Sequence, residues 1–547
     1  MGIMQALIGA AAVAAGFKVK NSLRFRRSGS AYMTRAAGLG LSASPNKMTY
    51  SGWIKIGTIP SGDAYLLASV NGSQAFQIIW MAGNTLRILN YNGSAGDVDW
   101  RATGLLLRDP TAWYHLYITY DATLAAGSRT KVFINGVQFI SPTTNVDSAA
   151  TIIFGGAYAH NISSVGAEKL DGCLAQTVFS AGNVLPISNF AEFNAGGVWV
   201  PKQIATPLPA NTVFMKYEDA SSVAALGTDS SGNGLTFTPS GMSVTAGVTF
   251  DQMTDTPTNN YSIFSGINIA SASALSKANM QNLSSGASFL NAVGTVAITS
   301  GMPKLYWEGT LLNAGSGSSS GVMGLMKANA VSAGRMDNNV NVWGINLQLS
   351  MQCIRAGSLS GGFNITPGCA AGEVFGFAFD PATRKIWYRR GTIWYTEAGA
   401  TTGDPAAGTG ESSTLPAGFE WLVVSCAFAS GMDLNHGQRP FTQPAPAGFN
   451  TLCTTDLTVT APIASGSFTG NGNADGPVVW VNGVPTTLSI DGSANLIGTS
   501  NVDKLAGGFK LRSTTNNAAG TRNWTATFGS PSTNNSFAQP QPAQRNP

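Results

Sequence analysis

Between residues 21 and about 200 the chain alternates apolar and polar positions with a period of two, interrupted by short polar stretches. MTYSGWIKIG, AFQIIWMAG, LRILNYNG, WYHLYITYD and KVFINGVQF each read as a strand with one face turned to a core. In the last of these, Asn135-Gly136 sits between β-forming residues and predicts a type I′ hairpin, whose turn needs positive φ twice. Residues 201–262 lose the alternation and fill with Asp, Ser, Gly and Asn, which predicts a linker with extended segments. The pattern returns over 263–455, in MPKLYWEGTL, GEVFGFAFDPATRKIWYRRG and WLVVSCAF. A smaller β module is expected over 456–530, with Asn482-Gly483 as its hairpin signal. Residues 531–547 are Pro, Gln, Asn and Ser and read as a flexible tail.

Composition supports an all-β chain. Of the 547 residues 44% are hydrophobic, enough for several cores, while only 11% are charged and 65 are glycine. Long amphipathic helices need more charge than that. The net charge of +4 does not argue for nucleic-acid binding, but its distribution is uneven. Residues 1–62 contain no Asp or Glu against eight Lys and Arg, leaving 23 basic and 27 acidic groups for the rest. The five cysteines form no C-x-x-C pair and read as buried small hydrophobes of a reducing compartment, with no metal site and no cofactor expected.

The first 20 residues form an apolar arm. Its apolar run of about 14 residues is too short for a membrane-spanning helix, and its basic residues follow that run, unlike a signal peptide. Met4, Leu7, Ile8, Val13 and Phe17, with Lys18, Lys20, Arg24, Arg26 and Arg27, are the residues expected to dock into a partner; a solvated strand edge is the alternative for the basic ones.

Residues 21–200, through SGWIKIG, AWYHLYITYDAT, KVFINGV and LDGCLAQTVFSAG, resemble the laminin-G-like, concanavalin-A-like sandwich. DSSGNG…FTP followed by DQMTDTPTNN is similar to the junction of phage structural proteins that join such a module to a SPRY-like one. Residues 263–455 resemble that SPRY-like sandwich, and NHGQRPF…PAGFNTL its phage-type ending, with His436 where an aromatic residue is usual. SFTGNG resembles the small β module that follows in the same viral proteins. The resemblance implies a tailed-phage virion protein, assembled in the host cytoplasm: a tail fibre or tailspike-like appendage for host attachment. A head fibre or capsid decoration protein and a surface-polysaccharide depolymerase are the alternatives. It further implies other virion proteins as partners, a host glycan or protein as receptor, and a homo-oligomer, by analogy a trimer.

Candidate chemistry is sparse. His115, His160 and His436 have no histidine or cysteine near them in sequence, and His115 lies in a strand, where a satisfied core histidine is expected. Around His436, Asp433, Asn435 and Arg439 read as a structural corner, with Arg439 tying a loop to backbone carbonyls. Asp97 and Asp99, at i, i+2 on one strand face with Trp100 beside them, fit a cation- or sugar-binding rim or a polar turn, the turn being preferred. Glu308 and Glu373 have no partner identifiable from sequence. Trp80, Tyr91, Trp100, Trp343, Trp394 and Tyr395 near loops are candidates to stack on saccharide rings or pack between subunits.

Overall fold

The computed structural model describes residues 16–528 except 42, 58–61, 82–84, 92–96, 103–108, 141, 195–196, 266–274, 285, 287, 314–320, 331–333, 348–349, 458–462, 471–477, 481–484, 492–501, 506–507 and 512–519. The described residues are strands and loops with four short 3-10 turns and no α-helix. No helix among them is long and apolar enough to cross a membrane.

Two eight-stranded antiparallel sheets form the first sandwich. The first runs Val137–Gln138, Thr130–Ile134, Tyr114–Asp121, Lys47–Ile56, Gly172–Ala181, Ser22–Phe25 and Gln252–Met253, with Thr212–Met215 added to Gly172–Ala181. The second runs Thr144–Asp147, Val98–Ala102, Thr85–Tyr91, Gln74–Met81, Ala64–Asn71, His160–Ile162, Tyr32–Arg35 and Thr238–Ser240. Alternating residues of the facing strands, among them Phe25, Met48, Ile78, Trp80, Trp100 and Phe179, make one buried core. The predicted hairpin is present, with φ of 48° at Asn135 and 80° at Gly136. Gly136 is needed twice over, because a Cβ there would also stand 2.5 Å from the Trp199 ring.

Residues 201–262 depart from the linker expectation. They supply Thr212–Met215, Thr238–Ser240 and Gln252–Met253, strands of both sheets. The polar run DSSGNG is a built turn. The Asp229 carboxylate accepts the backbone N–H groups of Phe214 (2.9 Å), Ser231 (2.9 Å) and Leu235 (2.8 Å) and the Ser231 hydroxyl (2.7 Å). Four donors on one carboxylate fix a loop as firmly as a ladder fixes a strand.

The second sandwich packs a seven-stranded sheet against an eight-stranded one. Trp307 stacks on Phe377 at its centre, ring centroids 5.3 Å apart and planes at 4°. A third region holds two three-stranded sheets. One orders Ile463–Gly470, Gly520–Phe528 and Pro485–Ile490, the other Val478–Trp480, Gly508–Leu511 and Val502–Leu505. Asn482-Gly483 and the tail 531–547 lie outside the described residues.

The two sandwiches meet across a buried seam. Its apolar part joins Val19, Trp53, Trp113, Cys173 and Met253 to Ile263, Ala278 and Met280. Its polar part is ionic. Lys55 Nζ donates to Asp255 Oδ2 (2.7 Å), Asn260 Oδ1 (2.6 Å) and the Tyr261 carbonyl (3.2 Å), and Trp113 Nε1 donates to Asp255 Oδ1 (3.0 Å). Both charged groups are hydrogen-bonded there, the condition for burying charge at tolerable cost. Lys277, Ala278 and Asn279 are all left-handed (φ 55°, 59° and 60°). The first sandwich clasps this strained turn: Asp171 accepts the N–H of Ala278 (2.5 Å) and Lys277 (3.2 Å). Gly57 lets it approach, since a Cβ there would sit 2.8 Å from the Ala278 Cα.

Candidate functional site

The strand Val98–Ala102 turns Val98, Trp100 and Ala102 into the core and Asp99 and Arg101 out of the sheet. Its neighbour Thr85–Tyr91 pairs Arg87 with Arg101 and Leu89 with Asp99, so Arg87 stands diagonal to Asp99 on the same outer face. Both guanidiniums close on the one carboxylate. Arg87 donates from Nε and Nη2 at 2.9 Å each, and Arg101 from Nε at 2.9 Å and Nη2 at 2.6 Å. The side chains remain wet, at 21% exposure for Arg87, 20% for Asp99 and 36% for Arg101. Burial works to raise the Asp99 pKa, but the hydrogen bonds from Arg101 and Arg87 outweigh it and hold the carboxyl below its ordinary value. The Arg101 pKa is raised in return, chiefly by its bond to Asp99. One carboxylate under two guanidiniums leaves one positive charge, and Nη1 of each arginine has no partner among the described residues. On the same face Val146 lies opposite Asp99 and is 38% exposed, and Tyr91, paired with Ala75, is 37% exposed.

This arrangement brings together three of the expected contact residues, Tyr91, Asp97 and Asp99, and excludes Trp100. Asp97 is half-buried just before the strand. Trp100 is 2% exposed inside the core, because alternation puts it opposite Asp99. In the second sandwich Tyr395 is also a core residue. Trp343 is buried edge-on to Trp421, with ring centroids 5.3 Å apart. Trp394 is half-buried against the Arg389 guanidinium, 4.9 Å from its ring centroid. Trp80 is buried in the first core. Arg87 and Arg101 were missed by the sequence reading; their signal was the shared outward parity of LRILNY and DVDWRA across one pair of strands.

The docking residues divide as well. Met4, Leu7, Ile8 and Val13 lie outside the described residues. Phe17 packs against the seam, and Lys18 and Lys20 are exposed, Lys20 lying 3.9 Å from Glu218. Arg24 and Arg26 cannot meet a partner. Both are buried on Asp251, with Arg24 Nε 3.2 Å and Arg26 Nε 2.7 Å from Oδ1 and Arg26 Nη2 2.8 Å from Oδ2. Arg27 is half-buried and donates to the Lys169 (2.8 Å) and Asp63 (3.1 Å) carbonyls.

The histidines are structural. His115 is buried between Ser51 and Trp199, with Nε2 2.9 Å from the Ser51 hydroxyl and Nδ1 accepting from Trp199 Nε1 at 3.1 Å. His160 lies 2.8 Å from the Tyr158 carbonyl through Nδ1 and accepts the Gly155 N–H at Nε2. His436 places Nδ1 2.8 Å from the Ser262 carbonyl and packs edge-on to Trp307. Burial lowers their pKa values to about 3, 4 and 4 respectively. At the corner beside His436, Arg439 pairs with the Asp433 carboxylate instead of the expected carbonyls. Asn435 accepts from the Gly437 N–H and donates to the Pro440 carbonyl. Glu308 is buried under Tyr306, Arg389 and the N–H groups of Thr442 and Gln443, and Glu373 is forked by Arg390. Among the described residues no three His, Cys, Asp or Glu side chains converge as a metal would require.

Comparison with known proteins places a match over residues 27–179, to the family model Laminin_G_3, described as the concanavalin A-like lectin/glucanases superfamily. No curated protein sequence matches. Solved structures that resemble parts of the chain include the SPRY domain of human HERC1 (8% identity, 29% of this chain and 91% of that one, TM-score 0.23). The TRIM65 PSpry domain is another (13% identity, 32% and 93%, TM-score 0.22). A third is a putative carbohydrate binding protein from Bacteroides ovatus (14% identity, 41% and 58%, TM-score 0.28). The all-β fold of concanavalin-A-like and SPRY-like sandwiches expected from the sequence is the fold observed.

Proposed function

We propose that the chain is a structural protein of a bacteriophage virion, a tail fibre or tailspike-like appendage that attaches the particle to its host. In this reading the outer face around Arg87, Asp99 and Arg101 meets the host surface, and the segment before Phe17 joins the chain to another virion protein. The observation that carries it is the saturated carboxylate. Asp99 accepts four hydrogen bonds from two guanidiniums, so it serves neither as a general acid nor as a nucleophile, while the surplus positive charge and the adjoining Tyr91 and Val146 form a surface suited to holding a ligand. The phage assignment draws support from the DSSGNG…DQMTDTPTNN junction and the QRPF ending described above. Attachment through several copies multiplies weak contacts by effective concentration.

The test uses the full chain and host cells. Purified protein is expected to bind the cells and to lose at least about tenfold in affinity, a loss of about 1.4 kcal/mol, when Arg87 and Arg101 are both replaced by alanine. Undiminished binding by that variant sinks the site. Release of soluble sugar from host glycan would turn the reading to the depolymerase. Particles carrying the protein on the capsid instead of the tail would turn it to a head fibre.

A further inference from the structure

The second sandwich carries a concavity that the reading above does not use. It encloses about 430 Å³, within the range of about 300–1,000 Å³ usual for small-ligand sites. Three connections build it. One is the segment of Thr299 and Ser300, ahead of the strand Leu305–Asn313. Another is the turn from Val374–Asp380 into Lys385–Arg390, which contributes Arg384. The third leads into Trp421–Ala427 and contributes Phe419, Glu420 and Trp421.

Phe419 is an apolar ring left 37% exposed at this wall, and it is held in place. The Lys327 ammonium lies 4.0 Å from its centroid, and Trp421 meets it edge-on at 6.3 Å. The same ammonium lies 5.5 Å from the Trp343 centroid, so one cation ties two aromatic rings together. Arg384 is anchored by a single bond from Nε to the Leu415 carbonyl at 3.2 Å; its Nη groups have no partner among the described residues. Ser300 adds an exposed hydroxyl and Thr299 a half-buried one.

We propose that this concavity is a second ligand site, separate from the arginine face, that takes a neutral polyol of hexose or disaccharide size. A fixed aromatic face accepts the apolar C–H side of a pyranose, and a guanidinium beside hydroxyls answers the vicinal hydroxyls at its rim. The lining carries one guanidinium and one carboxylate, Arg384 and Glu420, and so holds no net charge to recruit a phosphate or a polyanion.

Saturation-transfer NMR on the full chain with lactose, maltose and cellobiose as probes tests the site. Saturation transfer to at least one of the three is expected. Phe419→Ala is expected to weaken binding of that sugar at least tenfold, and Arg384→Gln severalfold, while the Arg87→Ala/Arg101→Ala double variant binds it as the wild type does. Because Arg384 is a half-buried group on a turn, outside the core, its variant keeps the test meaningful should Phe419→Ala unfold. No transfer to any of the three sugars overturns the proposal. So does equal transfer in the wild type and both cleft variants, or capture from a random library of a peptide that Phe419 anchors.

Discussion

The same three-residue arrangement, one aspartate between two arginines, occurs twice in the first sandwich. In Arg24–Asp251–Arg26 the side chains are 0%, 0% and 8% exposed; in Arg87–Asp99–Arg101 they are 21%, 20% and 36% exposed. The partners of the buried set come from opposite ends of the domain, 227 and 225 residues apart, while those of the surface set lie within 12. The difference teaches what position does to one chemistry. In the interior the aspartate neutralises charge that cannot reach water, and Arg24 also donates to the carbonyls of Val248 (2.9 Å) and Phe250 (2.8 Å). On the surface the same fork costs little to form and leaves donors facing outward.

The comparison breaks most sharply at Asp251. Asp251→Ala removes the carboxylate that both buried guanidiniums bond and is expected to destabilise the fold by about 3–5 kcal/mol, read as a lower urea midpoint. Group for group, acid gives the next largest effect. The three buried histidines have folded pKa values near 3 to 4 against 6.5 in the unfolded chain, so the unfolded state binds more protons between those limits. Stability is complete above about pH 6.5 and falls as pH drops toward 4, by roughly 3 kcal/mol per histidine. Asp99, its pKa held down, keeps its charge while this happens. A melting temperature that stays level from pH 7 to 4 would contradict the burial of these histidines in neutral form. Gly57→Ala drives a methyl into the Ala278 backbone and should cost about 1–3 kcal/mol, visible as a lowered melting temperature. Asp99→Asn closes the series at below about 1 kcal/mol. Raising salt should weaken ligand binding at the surface set and leave the buried set unmoved, a contrast that binding and unfolding titrations on one sample resolve.

Much of the fold was legible because its signals are local. Period-two alternation marked most long strands, and Asn135-Gly136 announced its turn two residues at a time. The buried set was misread for the same reason. In SLRFRR, alternation assigns Leu23 and Phe25 to the core and Arg24 and Arg26 to the other face. Nothing local says that this other face is covered by residues near 251. The polar stretch 201–262 misled similarly, since its turns are held by Asp229 and its strands are short. Trp100 was the avoidable error. The alternation that grouped Asp97 with Asp99 also turns the tryptophan to the opposite side, where it fills the core.

The clasp between the first strand and Asp251 has a consequence for how the protein is made. A ribosome adding about 5–20 residues per second needs roughly 10–45 s to reach the aspartate after releasing Arg24. Throughout that interval the leading strand carries two charges it cannot yet bury, so the domain closes only when its last short strand arrives. Synthesis that stalls before residues 251–253 have left the ribosome should therefore leave a nascent chain open to proteases, and a chain that has released them should close.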